Sequence, residues 1–474
     1  MKKIILSIFA CICAMLSYAQ MSALLYNSKH IPQINQMNPA LFTNSGFYLS
    51  LPSVNLNFDS PLAFSDLYVV KPNEVEQNIT YIDIDGILAN LEYQNEINTD
   101  LNVGILGLGF RTKHGFVSLS TQLRTNFQLG VPKDIIRFIT RGNVGEDGRG
   151  MDLVLLDQDL FSLTSYLEAG IGVGREFGKK FTVGVRAKVL LGLINASTYN
   201  SSVRLATDPD FNSFTVDMDY HVRASTPISL NELLSGKSIS SIIGDDYMSL
   251  IPRNWGMAFD IGAKYKITKR LSVAASVLDI GTIHWVENPA ELSPKEGTGT
   301  FTFSGLGWET MFSNGEVDDD FASSLLDSVI YQLTQYEIDT LASDYWERVP
   351  MRLNFSATYD LNKMLSASVM YRREMNKFNY FQSLTAGLNI NLGNWMELMA
   401  CNSVHNFEDW LNPGIGMSFS FLKMIQVYTL FDYVSDIYIV DGKSFRFFFG
   451  LNLTFANNRE RKQAKITNQH FSLL

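Results

Sequence analysis

The 474-residue chain carries 38 basic and 48 acidic residues, a formal charge of −10, and 46% apolar residues at a mean hydropathy of +0.02. The acidic balance argues against nucleic acid as a partner and gives no sign of a polybasic lipid-binding segment. The length suits two or three soluble domains or one large closed sheet. Beyond the N-terminus no uncharged apolar run reaches about 18 residues, which excludes helical membrane spans.

Lys2 and Lys3 precede an apolar run from Ile4 to Leu16, and Ser17-Tyr18-Ala19 then offers a small-residue cleavage site. Residues 1–19 read as a secretory signal peptide, too short to span a membrane. A lipoprotein signal ending at Cys11 or Cys13 is disfavoured, because it would leave too short an apolar run and sets Phe9 beside the lipobox. Cleavage before Gln20 removes Lys2 and Lys3, so 38 basic residues become 36 against 48 acids, a charge of about −12. Cys11 and Cys13 leave too; with Cys401 alone remaining, no internal disulfide can form. An exported chain without spanning helices is either released or built into the outer membrane as a barrel.

Residues 20–44 are mostly polar, and Asn35, Asn38, Pro39 and Asn44 disfavour regular structure. The first strand spans Phe47 to Phe58, where Pro52 marks a bulge that flips the register. Paired strands follow: Asn98–Phe110 with Phe116–Phe127, Phe161–Arg175 with Phe181–Leu193, and Trp255–Ile267 with Leu271–Trp285. Next come Arg352–Leu361 with Leu365–Arg373, Tyr380–Leu392 with Trp395–His405, and Pro413–Phe421 with Ile425–Tyr433; Phe445–Phe455 is the last. Short polar or glycine-containing segments inside each pair are hairpin turns. The segments between pairs run over 58–97, 128–160, 194–254, 286–351, 374–379, 406–412 and 434–444. Six short turns and seven usually longer loops thus alternate through fourteen strands, the arithmetic of an outer-membrane barrel.

Side chains alternate to match. Phe445, Phe447, Phe449, Leu451, Leu453 and Phe455 share one parity, wholly apolar, against a mixed one of Arg446, Phe448, Gly450, Asn452 and Thr454. Charges gather on the second parity, which closure turns towards a polar lumen: Arg124, Arg186, Lys188, Asp260, Lys264, Arg352, Asp360, Arg372, Glu397, Asp432 and Arg446. Their mixed signs favour paired charges that rigidify a closed interior over a selectivity ring. Trp285, Trp395, Tyr265, Tyr359 and Tyr433 lie near strand ends, where interfacial aromatics belong.

The long loops hold helical inserts of their own. Ser229 to Glu232 matches a capping box with Gly236 as a stop, and Phe321 to Leu333 follows helical spacing after Asp318-Asp319-Asp320. Val203–Leu205 with Phe211–Met218 reads as a loop hairpin; counted as spans, it would make sixteen strands. Catalytic signatures are missing: the six histidines are scattered without metal-ligand spacing, and no serine has a Gly-x-Ser-x-Gly context. Gly170, Gly172 and Gly174 sit inside a strand, so they make room in the barrel rather than cradle phosphate. Asp208, Asp210, Asp217 and Asp219 read as a solvated acidic loop, lacking the spacing of a calcium site.

Asn38-Pro39-Ala40, just ahead of the first strand, resembles the N-terminal Asn-Pro-Ala segment of barrels similar to the long-chain fatty-acid transporter. Most of the mature chain resembles an uncharacterised Bacteroidota outer-membrane β-barrel family. That match is carried by the stretches Phe181–Lys188, Ala275–Gly281 and Gly299–Gly305. The resemblance implies fourteen strands and an N-terminal segment folded into the lumen, with Asn38, Pro39 and Ala40 in a hatch role.

The expected fold is all-β, a transmembrane antiparallel β-barrel of about fourteen strands, with short periplasmic turns and long extracellular loops. The expected divisions are a signal peptide (1–19), a periplasmic N-terminal segment (20–44), the barrel (45–456) and a polar periplasmic tail (457–474). The expected function is passive transport of a small hydrophobic or amphipathic compound across the outer membrane, without catalysis, cofactor or metal. The alternative is a closed barrel serving as scaffold or accessory subunit of an envelope secretion or assembly complex. Expected partners are outer-membrane lipid and other outer-membrane or periplasmic machinery.

Overall fold

The computed structural model describes residues 23–43, 45–72, 78–143, 145, 147–156, 160–209, 213–230, 252–296, 299–304, 312–313, 316–317, 336–339, 343–377, 380–393, 395–405, 409–422, 424–432 and 443–455. The leader, the insert expected from Ser229 beyond its first two residues, the helix expected over Phe321–Leu333 with its acidic lead-in, Tyr433, Asp210 and the tail after 456 lie outside them.

Fourteen strands close on themselves: β1 Phe47–Asp59, β2 Gln94–Arg111, β3 Gly115–Pro132, β4 Phe161–Phe177, β5 Phe181–Thr198, β6 Asn254–Lys266, β7 Leu271–Trp285, β8 Met351–Asp360, β9 Leu365–Met375, β10 Tyr380–Asn391, β11 Met396–His405, β12 Asp409–Phe421, β13 Ile425–Asp432 and β14 Ser444–Phe455. Each pairs antiparallel with its neighbours in sequence, and β1 completes the ring by pairing with both β2 and β14. Closure leaves no strand edge to satisfy in lipid, where an unpaired N–H or C=O has no water to bond. The barrel is a transmembrane one of the outer membrane, with short periplasmic turns and long extracellular loops.

The Pro52 bulge is present. The β1–β14 register shifts between Ser50 and Ser53, so Leu49 and Leu51 face out on one side of it, Val54 and Leu56 on the other. The Val203–Leu205 segment is a loop hairpin: Ser202–Thr207 and Ser213–Asp219 pair in a separate four-stranded sheet with Leu153–Leu156 and Thr300–Ser304, so the barrel has fourteen strands and not sixteen. β2, β3 and β5 each have 18 residues. At about 3.3 Å per residue they run to roughly 60 Å and rise past the bilayer on the extracellular side, where that small sheet sits.

Alternation puts apolar side chains outside. In β5, Val185, Val189 and Leu191 are exposed to lipid while Gly184, Arg186, Lys188 and Leu190 are buried within. Tyr265, Tyr359 and Trp395 are outward at the periplasmic interface, as the sequence predicts. Trp285 is not. It is fully buried in a cluster with Tyr166, Leu190, Ile283 and Tyr345 in the extracellular half of the interior. A bulge in β7 accounts for this: Phe259 faces Ile280 but Ile261 faces Val277, so one extra residue reverses the facing of everything beyond it.

Candidate functional site

A fourteen-stranded cylinder is wider than the eight-stranded ring that side chains alone can fill. Here the chain itself fills the periplasmic half. Residues 23–43 enter beside the start of β1, where the Gly46 N–H donates to the Phe455 carbonyl at 2.7 Å, and fold back into the lumen. They carry two short helices, α1 Ala23–Asn27 and α2 Ile34–Met37, so part of the segment read as irregular is helical; enclosure by the wall supplies what local propensity lacks.

The segment meets two unlike walls. Its apolar side (Leu24, Leu25, Tyr26, Ile31, Ile34, Met37 and Leu41) packs in one cluster with the inward Met370, Met399, Cys401, Tyr428, Leu430 and Phe448 of β9, β11, β13 and β14. Its polar groups bond to inward polar side chains. Glu397 accepts from the Ser28 hydroxyl and the Lys29 N–H, both at 2.7 Å, and Lys29 Nζ lies 2.6 Å from Asp360. The Gln33 amide donates to Asn452 Oδ1 at 2.7 Å and to Ser50 Oγ at 2.9 Å.

Asn38, Pro39 and Ala40 form a buried turn at the β4–β6 wall. Asn38 Oδ1 accepts from the Ala40 N–H at 2.9 Å, and its Nδ2 donates to the Tyr26 hydroxyl and the Ala275 carbonyl at 2.9 and 3.1 Å. Burial within the barrel pushes the Tyr26 hydroxyl above its ordinary pKa, keeping it neutral. Wall glycines make the turn's seat. A Cβ on Gly184 would lie 2.1 Å from Pro39 C and O, and one on Gly262 would lie 2.0 Å from Asn38 Oδ1. Gly170 and Gly172 lie instead against Arg186, making room for a side chain, as their place in a strand suggests. Gly184→Ala should therefore unseat the turn at a cost of about 1–3 kcal/mol, read as a lower unfolding temperature of the heat-modifiable band on gels. Ala187→Val, pointing to lipid, should leave it unchanged.

Beyond the turn lies a layer of charge. Asp279 sits at its centre, 2.5 Å from Lys188 Nζ, 3.0 Å from Arg124 and 2.9 Å from Arg352 Nε, whose terminal nitrogen also contacts it. Lys188 reaches Asp260 at 2.8 Å and Glu168 at 3.6 Å; Arg124 reaches Glu168 at 3.2 Å. Arg186 links this layer to the segment, donating to Asn35 Oδ1 at 2.5 Å while lying 3.9 Å from Asp260. The Ser118 hydroxyl donates to the same Asn35 oxygen at 2.7 Å, and the Asn35 amide holds the Pro39 and Leu41 carbonyls.

All eleven charges expected in the lumen belong to the inward parity of their strands, in three groups. Arg124, Arg186, Lys188, Asp260 and Arg352 form the central layer. Lys264, Asp360 and Glu397 surround the segment at the periplasmic end, where Lys264 and Asp360 line a small cavity of about 100 Å³ with Tyr26 and Lys29. Arg372, Asp432 and Arg446 stand in the extracellular half, with Arg372 2.7 Å from Glu374 and Arg446 donating to Asn57 Oδ1 at 2.7 Å. Sequence reasoning missed Glu168, Glu374 and Asp279. Glu168 shares the parity of Gly170 and was legible. Asp279 was hidden by the β7 bulge, where it takes a left-handed φ of 62°; a lone acid between Leu278 and Ile280 was its one sign.

A family model described as a family of unknown function (DUF5723) matches residues 39–432. Comparison with curated proteins finds no match. Among solved structures the chain is similar to the Pseudomonas putida toluene transporter TodX, at 10% identity over 93% of each chain with a TM-score of 0.36. It is also similar to a Pseudomonas aeruginosa FadL homologue, at 10% identity over 90% of this chain and 95% of that one, with a TM-score of 0.40.

Proposed function

The chain belongs to this family of unknown function, DUF5723, and we propose that it is a plugged outer-membrane channel. It would pass a small hydrophobic or amphipathic compound by diffusion, with residues 23–43 as the movable hatch. The observation that carries this reading is the two-sided lumen. Met370, Met399, Cys401, Tyr428, Leu430 and Phe448 form an apolar wall that packs against a separable segment, with a charged wall across from it. When the segment moves, an apolar surface and a polar one face each other over a gap, which suits a ligand with a greasy body and a polar end. Asn38, Pro39 and Ala40 would be the part of the hatch that closes onto the glycine seat of the wall. Residues 1–19 serve in this reading as the export signal, and the N-terminal mass of the purified protein tests cleavage before Gln20.

Cys401 reports on the hatch, because it lies in the apolar wall beneath the segment and is buried when the segment is seated. Removing the anchoring carboxylate with Glu397→Ala takes away an acceptor of charge-assisted bonds worth about 1.5–3 kcal/mol, so the open population should rise roughly tenfold or more. The expected result is faster maleimide labelling of Cys401 in Glu397→Ala than in the parent, with the site identified by peptide mass. Equal, negligible labelling in both, while protein lacking 23–43 labels readily, would leave a sealed barrel instead.

That outcome would favour the second reading, a closed scaffold whose loops or tail (457–474) bind other envelope machinery. The number of polar ties between segment and wall and the Trp285–Tyr345 cluster in the outer half favour it. Neither reading assigns catalysis to the chain.

A further inference from the structure

The cavity of about 100 Å³ at the periplasmic end of the lumen is shared by the wall and the N-terminal segment. The wall gives Lys264 of β6, Ser272 of β7, and Thr358 and Asp360 of β8; the segment gives Tyr26 and Lys29. Strand register sets the wall side chains on the lumen face. Lys264 lies two residues beyond Gly262, which meets Asn38 inside the barrel, and it pairs with Ala274, while Ser272 pairs with Thr358. The volume holds several water molecules, enough for a small ion and too little for an amphipathic body.

Its charge is out of balance. Among the described residues Asp360 is the one acid on the cavity, and Lys29 engages it at 2.6 Å. Lys264 is half-buried and makes no ion pair among the described residues. The other acids at this end are held elsewhere: Glu176 by Arg111 at 2.8 Å, and Glu397 by the Ser28 hydroxyl, the Lys29 N–H and the Asn389 amide. Farther out on the same lumen parity, Lys266 follows Lys264 and Arg270 stands opposite Asp360, both exposed. An anion arriving from the periplasm meets these cations first, and then an ammonium without a counter-charge beside hydroxyl donors.

We propose that this cavity binds a small soluble oxyanion of the periplasm, and that the bound ion locks the hatch shut. The lock rests on the reading of residues 23–43 as a hatch. An ammonium has three N–H donors, so Lys29 can keep Asp360 and still donate to the ion, while Lys264 donates from the wall. The ion then bridges hatch and wall. A departing hatch takes Lys29 and Tyr26 with it, strips one side from the site and leaves the Asp360 charge uncompensated there. The ion therefore binds the seated state more tightly, and it shifts the equilibrium towards that state by the ratio of the two affinities. Strands β6 to β8 stand between the cavity and the bilayer, which selects a soluble ion over a lipid headgroup.

Equilibrium dialysis of the full-length protein in mild detergent against radiolabelled inorganic phosphate, with chloride holding the ionic strength constant, tests it. One phosphate should bind per barrel, saturably, in the millimolar range or tighter. Lys264→Gln removes a charged donor and should weaken binding on the order of tenfold, with Lys264→Arg close to the parent. Protein lacking residues 23–43 should also bind on the order of tenfold more weakly, which measures the lock itself because coupling between two events is reciprocal. Phosphate should correspondingly slow maleimide labelling of Cys401 in Glu397→Ala. Absence of saturable binding by the unaltered protein would overturn the proposal and mark a hydrated lysine only. Equal binding by the deletion protein would overturn the lock, and displacement by phosphatidylglycerol would overturn the soluble ion. Binding that the deletion abolishes, with Cys401 labelling negligible at every phosphate concentration, would keep the site and overturn the hatch reading on which the lock rests. The first measurement needs no variant, so a misfolded mutant cannot leave the question open.

Discussion

Protein lacking residues 23–43 should insert as a barrel and make liposomes permeable to small solutes, with swelling rates on the order of tenfold above those of the full chain. The reason is geometric. Eight strands leave an interior that side chains can fill, whereas rings a little larger than this one enclose an aqueous channel. Here the difference is made up in the periplasmic half by the N-terminal segment, with Leu24, Leu25, Ile31 and Met37 against the β9–β14 wall and Asn38, Pro39 and Ala40 on the glycine seat. The barrel's own hydrogen bonds run strand to strand and do not depend on that segment, so closure should survive its loss. Unchanged swelling in a correctly folded deletion would mean that the charged layer and the Trp285 cluster seal the lumen unaided. The transport reading would then fail, while the fold would stand.

The second large effect is expected at Asp279. Arg124, Lys188 and Arg352 all converge on its carboxylate, and the carboxylate is 1% exposed. Removing one partner from a buried, paired group leaves charge without compensation, which costs about 3–5 kcal/mol. Asp279→Ala leaves three cations facing one another with Glu168 and Asp260 as the nearby counter-charges, and should lower stability by that amount in urea unfolding of the lipid-embedded barrel. Asp279→Asn should fall close to Asp279→Ala, because charge rather than shape is what is missing. Asp219→Ala, in an extracellular loop strand and exposed, is the control expected within about 0.5 kcal/mol of the parent. A loss below about 1 kcal/mol at Asp279 would indicate well-hydrated, screened charges, and with them a wet, open centre.

The wall was legible in the primary structure because a strand has a period of two and lipid punishes an exception. Val185, Ala187 and Val189 had to face one way and Arg186 and Lys188 the other, and the same arithmetic placed the eleven lumen charges. Pro52 signalled its own bulge, since it has no N–H to give to a ladder. The β7 bulge had no such marker. Leu278 and Asp279 look like ordinary alternating positions, so Trp285 was expected at the membrane interface and Asp279 was overlooked, although one is buried inside and the other organises the centre of the lumen.

By itself, the order of residues determined that this chain is a fourteen-stranded antiparallel ring with lipid outside and charge within, because strand alternation and turn length are local properties written every few residues. Only the tertiary structure decided what the ring contains. The pairing of Asn35 with Arg186, the seat of Pro39 on Gly184 and the convergence of cations on Asp279 each join residues that lie far apart in the chain. Such contacts arise from closing the cylinder, and closure is a property of all fourteen strands together.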